Sequence, residues 1–112
     1  MTSGNTPAPY VATENFGGPT YGGWRVFDGD LTPASWFSSN PQTVAWIVLD
    51  LGAGNGLTPT GIAITPYYSY SPSSFICYGS TTGAFAGEEV TLYNSGSTAS
   101  GWVSNTRRDF TF

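Results

Sequence analysis

Apolar and polar residues alternate over short runs in this 112-residue chain, and apolar positions nowhere recur at spacings of three and four across a helix-length window. Gly or Pro interrupts nearly every dozen residues, so the pattern predicts short strands joined by turns and almost no helix. A polar, Pro-containing arm over residues 1–9 precedes a first strand expected around Tyr10 to Thr13. The Gly-rich segment Phe16 to Gly23 reads as a loop. It leads through Trp24 to Phe27 into the turn Asp28-Gly29-Asp30, where Gly supplies a positive φ and Asp side chains bond nearby amides. Val44 to Leu51 (VAWIVLDL) is the strongest strand, apolar on both faces and therefore expected at the centre of a sandwich rather than at its edge. Further strands are expected at Gly61 to Thr65, Ser74 to Tyr78 and Glu89 to Tyr93. The chain ends on RRDFTF, where alternation puts Phe110 and Phe112 on one side.

Composition sharpens this all-β reading. The chain is 39% hydrophobic and 16% aromatic, enough for one core, and its 15 Gly and 8 Pro supply the turns. Only 9% of residues are charged, Lys is absent, and Arg25, Arg107 and Arg108 face seven carboxylates for a net charge of −4. A nucleic-acid partner requires a basic footprint that this chain lacks, and anionic membranes are disfavoured for the same reason. A surface of hydroxyls and rings suits an uncharged partner instead. The opening residues carry neither a basic region nor an apolar run, so no secretory signal or membrane span is read there. Cys77, the sole cysteine, lies between Ile76 and Tyr78 and reads as a small buried hydrophobe.

Catalysis finds little support. With no His, Ser-His-Asp and Cys-His arrangements are excluded, and a zinc site would rest on one Cys and carboxylates. A glycosidase needs two carboxylates flanking a sugar. Here Asp28 and Asp30 share one turn, Asp50 lies on the strongest strand, and Glu88 and Glu89 open another. The GAGNG run after Leu51 mimics a phosphate loop, but Leu57-Thr58-Pro59-Thr60 follows it and does not open the helix such a loop requires. The expectation is a protein that is not an enzyme.

Between Tyr21 and Gly83 five signals occur in order: VFDGD, Trp36, WIVLDLG, a Pro-Ser-Ser-Phe step and YGSTTG. Together they resemble the discoidin, or coagulation factor 5/8 type C, family. The resemblance implies a galactose-binding-domain-like jelly-roll β-sandwich of seven to eight antiparallel strands over residues 10–112, with Trp36 in the core, WIVLDLG as central strand and FICYGSTTG as a strand ending in a GS-x-x-G turn. It also implies a structural Ca2+ held by the Arg25 carbonyl, Asp28, Asp30 and Thr32; the alternative is that the two Asp residues only cap the turn. Two departures stand out. The interval from Asp30 to Trp36 is about one residue longer than the family's spacing, and the chain stops at Phe112 where members continue into a final strand. An edge left open in that way is expected to be filled by the N-terminal arm or by a neighbouring chain.

Sugar recognition requires a flat ring to stack on a pyranose and polar groups to meet its hydroxyls. Phe37, beside Ser38, Ser39 and Asn40, and Tyr67, Tyr68 and Tyr70 in the connection after Thr65, are the expected contacts. Trp24, Trp36 and Trp46 are assigned to the core, and Trp102 is left open between core and site. The sequence therefore points to a non-catalytic carbohydrate-binding or adhesion module for neutral surface glycans. It would be displayed in several copies as a homo-oligomer or larger assembly, outside the cell or on a virion surface. The alternative is a virion structural protein, a capsid decoration or tail-fibre domain that uses the same sandwich for assembly.

Overall fold

The computed structural model describes residues 1–15, 22–30, 44–67, 71–96 and 100–112. They fold into strands and turns with one short 3-10 turn, Gly23–Phe27, in keeping with the all-β pattern. The strands are β1 (Val11–Glu14), β2 (Ile47–Asp50), β3 (Gly61–Ile64), β4 (Ile76–Gly79), β5 (Val90–Asn94) and β6 (Arg108–Thr111). They make three antiparallel ladders among the described residues, β1 with β2, β3 with β6 and β4 with β5. Met1–Gly56 and Leu57–Phe112 each form a compact unit. Phe37, Tyr68, Tyr70, Thr32 and Trp36 lie outside the described residues.

In the first unit Ala12 pairs with Leu49 and Thr13 with Val48, and Ala12 is buried. The ladder is prolonged by a side chain. The Asn15 amide nitrogen donates to the Val44 carbonyl (3.3 Å), and its oxygen accepts the Trp46 N–H (2.8 Å). An amide presents a donor and an acceptor as a peptide unit does, and the Asn15 backbone N–H donates to the Trp46 carbonyl (3.4 Å), so Asn15 continues the pairing one residue past β1. At the other end Gly52, at φ +78°, reverses the chain, and the Asp50 carboxylate accepts its N–H (2.8 Å). A Cβ at Gly52 would lie 2.6 Å from Pro9 Cβ, so the turn admits only glycine.

The expectation for Trp46 needs correction. Trp46 is 47% exposed rather than in the core, because Val44 to Trp46 lie past the end of β1, where Asn15 is the described residue that bonds them. For the same reason β2 is shorter than the run VAWIVLDL. The central position expected for it is not seen among the described residues, where it pairs with β1 alone. The arm over residues 1–9 contains a tight turn: Thr2 donates to the Thr6 carbonyl (2.9 Å), and Ala12 donates to the Gly4 carbonyl (2.7 Å).

The second unit is organised around one ring. Phe110, 7% exposed, meets Phe75 edge-on (4.9 Å between centroids), Tyr93 (5.5 Å) and Trp102 (5.7 Å). Phe112 lies on the same side of its strand and reaches Tyr93 (6.2 Å), as alternation predicted. Tyr93 lies on β5 and Phe75 just before β4, and their ladder has a bulge between Cys77 and Tyr78. Beyond it, Ser95 stands in for a strand residue, its hydroxyl accepting the Phe75 N–H (2.8 Å) while its own N–H donates to the Phe75 carbonyl (3.0 Å). Cys77 is half-buried, and burial pushes its thiol up, consistent with packing rather than reactivity.

Replacing Phe110 by Ala removes the ring that three aromatic neighbours share and is expected to cost about 3–5 kcal/mol, read from urea unfolding followed by tryptophan fluorescence. Phe112→Ala, at a position 36% exposed, is expected to cost no more than about 1–2 kcal/mol. Equal losses at the two positions would show that Phe110 is not the organising contact.

Candidate functional site

Of the expected sugar contacts, Tyr67 is described. It is half-buried, just after β3 in the connection from Thr65 to Pro72. Both ends of that connection are tied to one neighbouring segment. The Asn105 N–H donates to the Pro66 carbonyl (2.9 Å), and the Trp102 indole N–H donates to the Pro72 carbonyl (2.9 Å). Asn105 adopts φ +54°, a left-handed conformation that asparagine tolerates better than most residues, and Thr106 donates to the Val103 carbonyl to close the turn (3.1 Å). Trp102 is thus both a packing group, against Phe110, and the anchor of the tyrosine connection.

Above the indole lies Arg108. Its guanidinium carbon is 5.4 Å from the Trp102 ring centroid and 4.9 Å from that of Phe110. One terminal nitrogen donates to the Ser100 carbonyl (2.6 Å) across Gly101, which takes φ +80° to make that bend. Strand alternation sends Arg107 to the other side of β6 with Asp109, whose carboxylate accepts two bonds from it (2.8 and 2.6 Å). Sequence reasoning passed over Arg108, although the Arg-Arg-Asp-Phe order already pairs one Arg with Asp109 and the other with Phe110.

Three of the four expected calcium ligands, Arg25, Asp28 and Asp30, are among the described residues. Gly29 has φ +80°, the Asp28 carboxylate accepts the Asp30 N–H (2.7 Å), and the Arg25 carbonyl accepts the Asp28 N–H (3.5 Å). Among the described residues no three acidic or thiol groups converge on a point. Arg25, Asp28 and Asp30 are thus brought together in one turn, and Thr32, the fourth expected ligand, lies outside the described residues.

Glu88 is a further organised group. Expected at the start of a strand, it instead sits before β5 in the loop after the GS-x-x-G turn. Its carboxylate accepts bonds from the Ser80 hydroxyl, the Thr82 hydroxyl (2.7 Å), the Phe85 N–H (3.2 Å) and the Ala86 N–H (2.8 Å). Ser80 in turn accepts the Gly83 N–H (2.8 Å). The sequence signal was present: hydroxyls at 80 and 82 and glycines at 83 and 87 surround a carboxylate with donors.

Comparison of the chain with protein-family models, with curated proteins and with solved structures gave no match.

The hydroxyl and amide donors around Glu88 hold its carboxyl down at about 2, against an ordinary 4.5. Because the folded value lies below the unfolded one, the ordering this group provides is complete above about pH 4.5 and is lost as pH falls through about 2. Glu88→Gln is expected to speed hydrogen exchange at the Phe85 and Ala86 amides at neutral pH, read by NMR. A Glu88 carboxyl that titrates near its ordinary value would show that the network does not persist in solution.

Proposed function

We propose that this chain is a non-catalytic carbohydrate-binding or adhesion module whose ladders belong to a jelly-roll sandwich of the discoidin type. The observation that carries the reading is the double anchoring of the tyrosine connection through Asn105 and Trp102. A recognition loop held at both ends loses less freedom when a ligand docks, so more of the contact energy appears as affinity. Tyr67 then supplies a ring and a hydroxyl for a pyranose, with Tyr68 and Tyr70 of the same connection as further contacts. A single shallow site of this kind binds near millimolar, about −4 kcal/mol, so adhesion requires several copies on one assembly, outside the cell or on a virion surface. Calcium at the Asp28 turn would stiffen the domain rather than touch the sugar.

A second reading, a virion structural protein that uses the sandwich for assembly, is favoured by the apolar surface. In the second unit Leu57 (65%), Val90 (63%) and Val103 (63%) are exposed, whereas Phe110 is its buried large hydrophobic residue among those described. Where such residues adjoin one another, they offer a surface that a partner can cover.

The test is a glycan array run once in calcium and once in chelator, with wild type, Tyr67→Ala and Trp102→Phe. Binding is expected to fall about tenfold in Tyr67→Ala, a loss of about 1.4 kcal/mol. A smaller fall is expected in Trp102→Phe, which keeps the ring but loses the bond to Pro72. A blank array from a folded oligomer would overturn the glycan reading in favour of assembly, and equal binding in calcium and chelator would remove calcium from the site.

A further inference from the structure

We propose that Arg108 gives this site a preference for a sugar that carries a carboxylate, a uronic-acid type of residue, in place of the neutral glycan that composition alone suggests; the inference rests on the glycan reading and names its ligand class.

The cations of this chain differ in their partners. The chain has three, Arg25, Arg107 and Arg108, and all seven of its carboxylates are among the described residues. Asp109 neutralises Arg107. Arg108 has no carboxylate within ion-pairing distance, yet it is held in place by three contacts: the Trp102 ring, the Phe110 ring and the Ser100 carbonyl. Stacking on rings attracts a cation without neutralising it. A guanidinium has five N–H donors, and the Ser100 carbonyl uses a terminal one. The residue is exposed, so the group is fixed, charged and open to solvent. A planar fork fixed in this way matches a carboxylate, which accepts two parallel bonds.

Its place in the fold links it to the tyrosine connection. Arg108 pairs with Ile64 on β3, three positions before Tyr67, and it stacks on the same indole that donates to Pro72. One anchor thus positions both a ring-bearing connection and a cation. Charge decides between anions. With Glu88, Glu89 and Asp109 in the same unit and a net charge of −4, a singly charged carboxylate meets less repulsion than a phosphate dianion.

The test pairs each neutral glycoside with its uronide, methyl galactoside with methyl galacturonide and methyl glucoside with methyl glucuronide, in ligand-observed NMR titrations. Near-ultraviolet circular dichroism checks the fold of Arg108→Gln, Arg108→Lys and Arg107→Gln. In wild type the uronide is expected to bind about tenfold more tightly than its neutral partner at low salt, as one charge-assisted contact provides. The gap is expected to narrow in about 0.5 M sodium chloride, where the screening length is about 4 Å. It should vanish in Arg108→Gln, return in part in Arg108→Lys and persist in Arg107→Gln. The wild-type salt series needs no variant and tests the idea even where Arg108→Gln unfolds. A neutral sugar that binds as well as its uronide would overturn this inference and leave the glycan reading standing. Binding of neither would overturn both. A folded Arg108→Gln that keeps the preference would also overturn it, by placing the charge recognition elsewhere.

Discussion

Burial of the Phe110 ring is the contact on which the second unit depends, because it joins two ladders whose strands lie far apart in sequence. β6 presents Phe110 across from Ile62 of β3, while Phe75 and Tyr93 arrive at the start of β4 and from β5. Trp102 closes on the same ring from the segment before β6. Ring contacts with centroids about 5–6 Å apart add directional preference to ordinary apolar burial, so the cluster fixes orientation as well as proximity. Pro72, at the end of the tyrosine connection, is tied to this cluster through Trp102, whose indole packs on Phe110 at one side and bonds Pro72 at the other.

Where strands run out, side chains continue the pairing. Asn15 meets Val44 and Trp46 beyond β1, and Ser95 meets Phe75 beyond β5. Each substitutes a polar side chain for a peptide group and satisfies strand ends that a longer ladder would otherwise satisfy. Short strands thus persist in a chain with frequent Gly and Pro.

Much of the strand pattern was legible in the sequence, since period-two alternation is a local property. The first strand was expected at Tyr10 to Thr13 and occurs at Val11–Glu14; GIAIT and EVTLY occur at Gly61–Ile64 and Val90–Asn94. The shared side of Phe110 and Phe112 was legible for the same reason. Trp46 was not: its surroundings depend on where β1 ends, a fact about another part of the chain. At the candidate site, the turn at Asp28 and the connection at Tyr67 were legible from Gly, Asp, Pro and Tyr. The anchoring by Trp102 and Asn105 was not, because a bond to a carbonyl some thirty residues away leaves no periodic trace. The same holds for the stacking of Arg108.

The scarcity of charge explains why the cations are placed as they are. Carboxylates here are largely taken up by backbone amides close by in sequence: Asp28 by Asp30, Asp50 by Gly52, Glu88 by Phe85 and Ala86, and Glu89 by Gly87. Carboxylates committed to local turns do not travel to distant guanidinium groups. Two of the three arginines rest instead on aromatic rings, Arg25 over Trp24 at 4.8 Å and Arg108 over Trp102 at 5.4 Å, in a chain with far more rings than charges. A cation on a ring keeps its charge and most of its donors. The turn chemistry that makes this sequence fold as short strands therefore also leaves Arg108 exposed without a carboxylate, and that position lies beside the anchored connection rather than at a random point of the surface.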